Sequence, residues 1–476
     1  MVVSVIEKIK SRVGNSPDFI VRELDLCNEK VSLLFFETLT DTSSINECLL
    51  KYLGYIKTKK KISLNLANYI KKYIPAFKII EVFNIDEIIT ILFSGFVVLN
   101  IGSKYYSMEV RRQLDSGITK AESEKTIRGP KDAFTENYQT NIGLIRKRIR
   151  NENLWLEEFN VGKKSNTKIG LMYINDIANK CLVNNIINEI NNINIDSIPD
   201  STYIYDYFKK NKSLFPNVLL TERPDLVSYK LLSGKVAIVV DNTPYVLLVP
   251  AFFMEFFHTM DDYFQNTFNS TYIRLIRIIA FITTVMLPGF YIALITYNYE
   301  IVPPSLLVNF AMQKEGVPFP TVLEAVLMNI IFEILRETDI RAPSTLGSAL
   351  SIVGALVLGD AAVNAGLVSP IMVIVIAITA ISELIFSIND VSNAAKIWRL
   401  IFILFASLSG MLGVFIALIL LVSELVSIDS FDFPYMYPNA PFNLIDQENN
   451  ILLTDNYKLK FRNKLTAIKN KIRGVK

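Results

Sequence analysis

Apolar and polar positions are segregated along this chain. Residues 1–270 mix short apolar runs with Lys, Asp, Glu and Asn, whereas residues 275–425 are mostly apolar. A membrane-spanning helix needs about 20 consecutive apolar residues. Residues 278–297, 367–388 and 400–424 meet that test, and 345–366 is a fourth, less apolar candidate. Pro288-Gly289 predicts a kink in the first of these. Arg274 and Arg277 just before it favour a cytoplasmic start, and Tyr297 and Tyr299 suit the opposite interface. Residues 321–337 are helical and apolar but carry Glu324, Asn329, Glu333 and Arg336. Charges facing lipid are costly, so this helix reads as re-entrant, interfacial or buried in a bundle. Four spans leave both ends in the cytoplasm, in keeping with the basic tail from Lys458 to Lys476, but place Lys396 and Arg399 on the outer side. Counting 321–337 as a fifth span resolves those two and exports the tail. Four is the preferred count.

The first half alternates short strands with helical stretches. Residues 19–26 and 30–37 read as strands around a Cys-Asn-Glu-Lys turn. Residues 43–57 and 60–74 have helical periodicity, and 85–93 reads as a helix before strands at 95–101 and 104–110. A second unit follows, with a helix at 134–150, a buried-type strand at 168–174, a helix at 175–191, and a hairpin of 235–241 and 244–250 turning on Asn242-Thr243. The predicted fold is an α/β soluble N-terminal region of two small α/β subdomains (1–112 and 113–270), followed by an α-helical membrane domain (271–426) and a Pro-containing, basic cytoplasmic tail (427–476). Asn, Ile and Lys are abundant, but no internal repeat is evident.

Composition narrows the chemistry. The net charge of +3 is too small to point to nucleic acid. The three cysteines, Cys27, Cys48 and Cys181, have no metal-ligand spacing and read as buried free thiols in a reducing compartment. The N-terminus lacks the basic start, apolar run and cleavage site of a signal peptide, so the soluble region is expected to stay in the cytoplasm. There is no P-loop, dinucleotide fingerprint or nucleophile elbow, and the single histidine, His258, excludes a multi-histidine metal site. His258 follows Phe256-Phe257 near the membrane entry, where a packed or interfacial role is expected. Arg146, Lys147, Arg148 and Arg150 form a basic cluster that reads as a solvated helix face, with lipid headgroups or acidic partner surfaces as the alternative. No enzyme, cofactor or metal is predicted.

Residues 345–366 carry the most information. Ser348, Ser351, Ala355, Gly359 and Ala362 recur at helical spacing as a small-residue stripe, which lets membrane helices approach closely. The opposite face reads Leu350, Val353, Val357, Asp360 and Asn364, an apolar stretch ending in a carboxylate and an amide one turn apart. An acidic group at that depth should face water or a partner. Several copies around an axis would make a hydrophobic constriction beside a carboxylate ring, a pore that gates by dewetting and favours cations. A packed bundle helix with Asp360 paired or snorkelling is the alternative.

Several stretches resemble the GerA-type spore germination receptors, specifically their A subunit. They are Arg128-Gly129-Pro130-Lys131-Asp132-Ala133-Phe134, Thr221-Glu222-Arg223-Pro224-Asp225, Gly234–Pro244, Glu333–Glu337, Arg341–Gly347 and, most specific, Ile352–Val363 with Ala365–Ser369. The resemblance covers about residues 125–441; Thr338-Asp339 and the tail beyond Phe442 depart from the family pattern. It implies an inner-membrane, multi-pass protein of the bacterial endospore that works with a transporter-like B subunit and a lipoprotein C subunit. It implies nutrient sensing, with the small molecule bound mainly by the B subunit, and an A subunit that oligomerises as the pore of a nutrient-gated ion channel. With that resemblance the Val353/Val357/Asp360 face becomes the gate candidate, and Glu324, Glu333 and Arg336 become candidates for coupling it to the soluble region through residues 251–277. A membrane-anchored scaffold without conductance and a secondary transporter are the other readings, the latter disfavoured by the absence of inverted repeats.

Overall fold

The computed structural model describes residues 5–26, 29–51, 53, 79–102, 104–113, 121, 123–209, 213–341, 359–386, 389–455 and 458–474. Helix 60–74 lies outside them, as do the candidate positions Ser348, Leu350, Ser351, Val353, Ala355 and Val357.

The N-terminal region is an α/β assembly of two five-stranded sheets. The first contains β1 (Phe19–Leu26), β2 (Glu29–Phe36), β3 (Ile79–Val82), β4 (Phe96–Ile101) and β5 (Lys104–Glu109), in the order β1-β2-β4-β5-β3. The second contains β6 (Leu154–Val161), β7 (Thr167–Ile174), β8 (Leu219–Thr221), β9 (Val236–Val240) and β10 (Val246–Val249), in the order β6-β7-β9-β10-β8. Every pair is antiparallel. The two orders are the same path drawn twice, so the region is an internal repeat of topology. Neither composition nor motif spacing revealed it, because a repeated path needs only repeated apolar alternation.

The hairpin at Asn242 forms as expected, with Asn242 at φ 65, which Asn tolerates. Helix α1 (Val5–Arg12) and α2 (Ile85–Leu92) belong to the first unit; α3 (Tyr138–Arg148), α4 (Lys180–Asn191), α5 (Ser201–Phe208) and α6 (Pro224–Leu231) belong to the second. Asn137 and Asn179 cap α3 and α4 by accepting from backbone N–H groups of the first turn. These caps start both helices later than apolar periodicity alone indicated.

The basic cluster on α3 is not a uniformly solvated face. Arg146 is 0% exposed; its Nε and Nη2 donate to Asp18 at 2.6 and 2.8 Å, and its guanidinium lies 4.8 Å from the Phe36 ring centroid. It joins the two sheets. Cys181, expected to be buried, is exposed on α4.

The C-terminal region is helical. It comprises α7 (Thr267–Thr296), α8 (Pro304–Lys314), α9 (Thr321–Arg341), a helical stretch at 359–364, α10 (Pro370–Glu383) and α11 (Asn389–Ser427). By length and apolarity α7 qualifies as a membrane-crossing helix, and α11 would do so only as one continuous helix. The expected single span at 400–424 is corrected here. Gly410 leaves helical geometry at φ 60, ψ −135, and a Cβ on Gly413 would fall 1.9 Å from the Phe405 carbonyl oxygen. In a continuous helix residues eight apart lie ~12 Å apart along the axis. The chain therefore doubles back at Gly410, and α11 is two antiparallel arms.

The end of α7 caps this reversal. Asn298 Oδ1 accepts from Met411 N at 3.0 Å, and Tyr297 OH donates to Ser407 O at 2.7 Å. Lower on α7, Gly289 leaves room for the backbone of Phe402, 3.0 Å from where a Cβ would sit. The returning arm ends beside the second sheet, where Glu424 accepts from Leu214 N and Ser213 Oγ, each at 3.1 Å. So α7 leaves the α/β region and α11 returns to it. Lys396 and Arg399, expected on the outer side, sit on the arm of α11 that starts at the α/β end. Residues 321–337, expected to be re-entrant, interfacial or bundled, belong to a 21-residue helix packed beside α10.

Gly410→Ala is expected to lower stability by ~2 kcal/mol or more, because its Cβ would lie 2.6 Å from Tyr297 Cβ at a positive φ. Gly316→Ala, at φ +91 with nothing within 4 Å, should cost only the strain of ~1 kcal/mol. Thermal unfolding in detergent compares the two directly.

Candidate functional site

The α/β region meets the helices at an aromatic hub. Phe253 and Phe257 lie on the short helix Phe253–Phe257 that follows β10. Phe281 on α7 stacks edge-on against both, at 5.6 and 5.5 Å between centroids. Phe386, just after α10, packs on Phe257 and Phe281 at 6.1 Å each. Tyr435 of the tail packs on Phe253 at 5.9 Å. Four chain segments thus share one buried ring cluster.

Ion pairs lock the hub. Asp262 is 2% exposed and accepts from Arg274 Nε at 3.0 Å and Arg277 Nη1 at 2.9 Å. Both arginines belong to the first turns of α7, so the clamp fixes the angle at which that helix departs. The arginines noted as flanking charges are therefore structural partners. Arg277 also donates to Phe257 O at 2.9 Å, and Arg274 to Asn450 O at 3.1 Å. His258 is packed, as expected: it pairs with Asn450 O at 2.8 Å. Burial, with Arg274 and Lys230 nearby, holds its pKa well below the usual histidine value.

The tail, whose role the sequence left open, completes the junction. Leu453 N donates to Thr271 Oγ1 at 3.1 Å and Thr267 Oγ1 to Asp455 at 2.5 Å, both on the first turns of α7. Further on, Thr466 Oγ1 donates to Ser233 O at 2.7 Å, and Ala467 bridges Ala178. The tail thus lies on the same face of the helical region as the sheets.

A second charge cluster lies among the helices. Glu383, 5% exposed at the end of α10, accepts from Arg336 of α9, from Arg399 Nη1 of α11 at 3.0 Å and from Ser392 Oγ at 2.8 Å. Lys396 bridges Glu333 and lies 3.7 Å from Glu383. The structure therefore brings together two of the three coupling candidates, Glu333 and Arg336. Glu324 is apart, about 14 Å from Glu333 and about 18 Å from Arg336 along the same helix by its rise. It is buried; Oε2 accepts from Ser369 N at 2.8 Å, and Oε1 has no hydrogen-bond partner among the described residues. Sequence reasoning missed Glu383. Its signal was a lone carboxylate within an apolar run whose only complementary charges, Arg336, Lys396 and Arg399, lie in other apolar runs.

Of the pore and stripe candidates, Asp360, Asn364, Gly359 and Ala362 are described. Asp360 and Asn364 are exposed, while Ala362 is buried and Gly359 approaches Val373 of α10.

The Thr221–Asp225 motif acts through Arg223. Its guanidinium is held by Asp225 at 2.6 Å and donates to Glu124 O, Thr126 Oγ1 and Pro130 O, each at 3.0 Å. It shapes the loop that carries the Arg128–Phe134 motif. Glu124 in that loop accepts from Thr221 Oγ1 at 2.6 Å; burial, opposed by that bond and raised further by Glu222, pushes its pKa up to about 7.

Comparisons with known proteins decide what this arrangement belongs to. The family model described as Bacillus/Clostridium GerA spore germination protein matches residues 7–465. The chain belongs to the GerA spore germination protein family. It is 36% identical over 444 residues to spore germination protein KA of Bacillus subtilis (strain 168), covering 92% of this chain and 81% of that one. It is 36% identical over 333 residues to the uncharacterized membrane protein YfkQ of the same organism, covering 70% and 64%. Among solved structures it resembles the N-terminal domain of the A subunit of the Bacillus megaterium spore germinant receptor GerK3, at 30% identity and TM-score 0.41 over 52% of this chain and 94% of that one. The GerA family membership agrees with the resemblance read from the motifs.

Asp262→Ala should leave the buried Arg274 and the partly buried Arg277 without their carboxylate and cost roughly 3–5 kcal/mol, read as a lower unfolding midpoint in detergent. Glu124 gives a pH signature. Its folded pKa is raised from 4.5 to about 7, so its contribution to stability is full below 4.5 and is lost as pH rises through 7. Glu124→Gln should remove that loss, at most about 3 kcal/mol. Unfolding midpoints of both proteins between pH 4.5 and 8 test it; parallel curves would refute it.

Proposed function

We propose that this GerA-family chain is the A subunit of a nutrient germinant receptor in the spore membrane, and that copies of it assemble into a nutrient-gated cation channel. The observation that supports this best is the placement of Asp360 and Asn364. They lie on one outward face of a helix in the apolar half, while the opposite face, with Gly359 and Ala362, turns toward α10. A carboxylate at such a position is stable only against water or a neighbouring subunit, and a ring of them would favour cations.

In this reading α7 departs from the α/β region and α11 returns to it, giving an even number of crossings with the sheets and tail both in the cytoplasm. The α8 helix has no buried residue and exposes Leu306, Val308 and Met312, as an interfacial helix at the far side would. A transporter-like partner subunit and a lipoprotein subunit complete the receptor, and the nutrient binds mainly to the former. Ligand binding biases the ring through unequal affinity for its closed and open states. The junction of Phe257, Phe281, Phe386 and Asp262, continued through Glu383, Arg336 and Glu333, couples the α/β region to the gate at Val353, Val357 and Asp360.

Ion flux through liposomes containing this chain with its partner subunits tests the reading. Native protein should pass cations only with nutrient; Val357→Ala should leak without it, and Asp360→Asn should reduce cation preference. Absence of flux from a folded oligomer in every condition would favour a scaffold instead.

A further inference from the structure

A cavity of ≈ 100 Å³ lies between α6, the 252–263 linker and the tail. Its walls include Tyr229, Lys230, Glu255, His258, Tyr263 and Arg473. The surrounding charge is unbalanced. Lys230 and Lys235 share the single carboxylate of Glu255, just as Arg274 and Arg277 share that of Asp262. Four buried or partly buried cations therefore divide two carboxylates.

Arg473 adds a further cation. Its guanidinium lies 5.5 Å from the Tyr229 ring centroid, and Nη2 donates to Ser233 Oγ at 3.0 Å. Its buried Nε has no hydrogen-bond partner among the described residues. Tyr229 stacks on Tyr263 at 4.6 Å, and Arg274 lies on Tyr263 at 5.3 Å. Arg274 Nη2 is likewise buried and orphaned, in a side chain that is 1% exposed. Arg274 lies one aromatic layer behind the wall and donates to Asn449 and Asn450, which themselves line the cavity.

Two further acids at the wall, Asp446 and Glu448, reduce this excess to a single positive charge. Asp446 is engaged by Tyr437 OH and by Lys464 N, and Glu448 is exposed to solvent. The depressed pKa of His258, caused by burial and then by Arg274 and Lys230, fits a positive interior. Buried guanidinium donors without acceptors are costly, and an oxyanion satisfies both charge and geometry.

We propose that this cavity binds a small oxyanion, a phosphate or carboxylate group, with Arg473 of the tail as its principal donor and Lys230 as its second cation. The bound anion joins the tail to the linker, so occupancy stabilises the latched junction in proportion to ligand concentration. The proposal goes beyond the channel reading, and its test measures no flux.

The full chain in detergent is titrated with sodium phosphate and, separately, sodium acetate, at ionic strength held constant with chloride. Hydrogen exchange is followed in residues 229–235 and 445–473. The expected result is saturable protection of both segments and a rise in the unfolding midpoint. Arg473→Gln should weaken the response at least tenfold, while Lys469→Gln, an exposed lysine outside the cavity walls, should leave it unchanged. A response to phosphate alone assigns a phosphoryl ligand, and a response to acetate alone a carboxylate. Protection no greater than with chloride, or equal protection in Arg473→Gln, overturns the proposal. Protection mapping on the native chain decides the matter even if the variant fails to fold.

Discussion

Asp262 is the residue on which the rest of the architecture turns. It is a nearly inaccessible carboxylate that accepts from two arginines one turn apart on α7. Removing two guanidinium groups from water is expensive, and only a well-placed acceptor offsets the cost. The geometry that satisfies Asp262 therefore permits little freedom in how α7 leaves the α/β region. Once that angle is set, Gly289 meets the backbone of Phe402, and Tyr297 and Asn298 arrive where the chain must turn at Gly410. The returning arm then reaches Leu214, and the tail closes over the first turns of α7. A local electrostatic requirement is propagated by rigid helices into the shape of the whole C-terminal half.

The same logic recurs with different chemistry among the helices. Glu383 is shared by Arg336, Arg399 and Ser392 from two other helices. Apolar side chains pack at several registers with similar energy, whereas a buried carboxylate with charged partners tolerates one. Such clusters define relative helix positions more sharply than they add stability. Arg399 Nε remains without a partner among the described residues, as Arg274 Nη2 does in the clamp at Asp262, so neither cluster is completely satisfied. Incomplete satisfaction lowers the cost of rearrangement, and that is where a packed helical region gives way first.

The strands of both sheets and the hairpin at Asn242 were legible because alternation and turn chemistry are local. The apolar helices were legible for the same reason. The reversal at Gly410 was not: Leu408, Met411 and Leu412 continue the apolar run on either side, and one glycine among them carries no weight in a hydropathy pattern. The repeated sheet topology was hidden because strand order is set by long-range pairing. Arg146, Arg274 and Arg277 were read as surface or flanking charges because their partners, Asp18 and Asp262, are recognisable only in three dimensions. Glu333 and Arg336 were singled out from their cost in an apolar helix, and both join one ion-pair cluster in the structure. Glu383 was overlooked because one acid seemed tolerable where three cations from neighbouring helices were needed to explain it.

These features also constrain any signal that passes between the two halves. Two states of the helical region can be distinguished by the α/β region only through contacts that differ between them. The sheets touch the helices through the ring cluster of Phe253, Phe257, Phe281 and Phe386, the Asp262 clamp, Glu424 and the tail. Breaking the clamp would leave a buried carboxylate and a buried guanidinium unpaired, which is costly. Edge-on aromatic contacts, by contrast, keep most of their energy through small rotations, and Phe386 follows Glu383 by three residues. Phe386 N donates to Glu383 O, so one turn of backbone joins the ring cluster to the carboxylate that holds α9, α10 and α11 in register. The soft element beside the rigid one is the physically economical place for the two halves to exchange information.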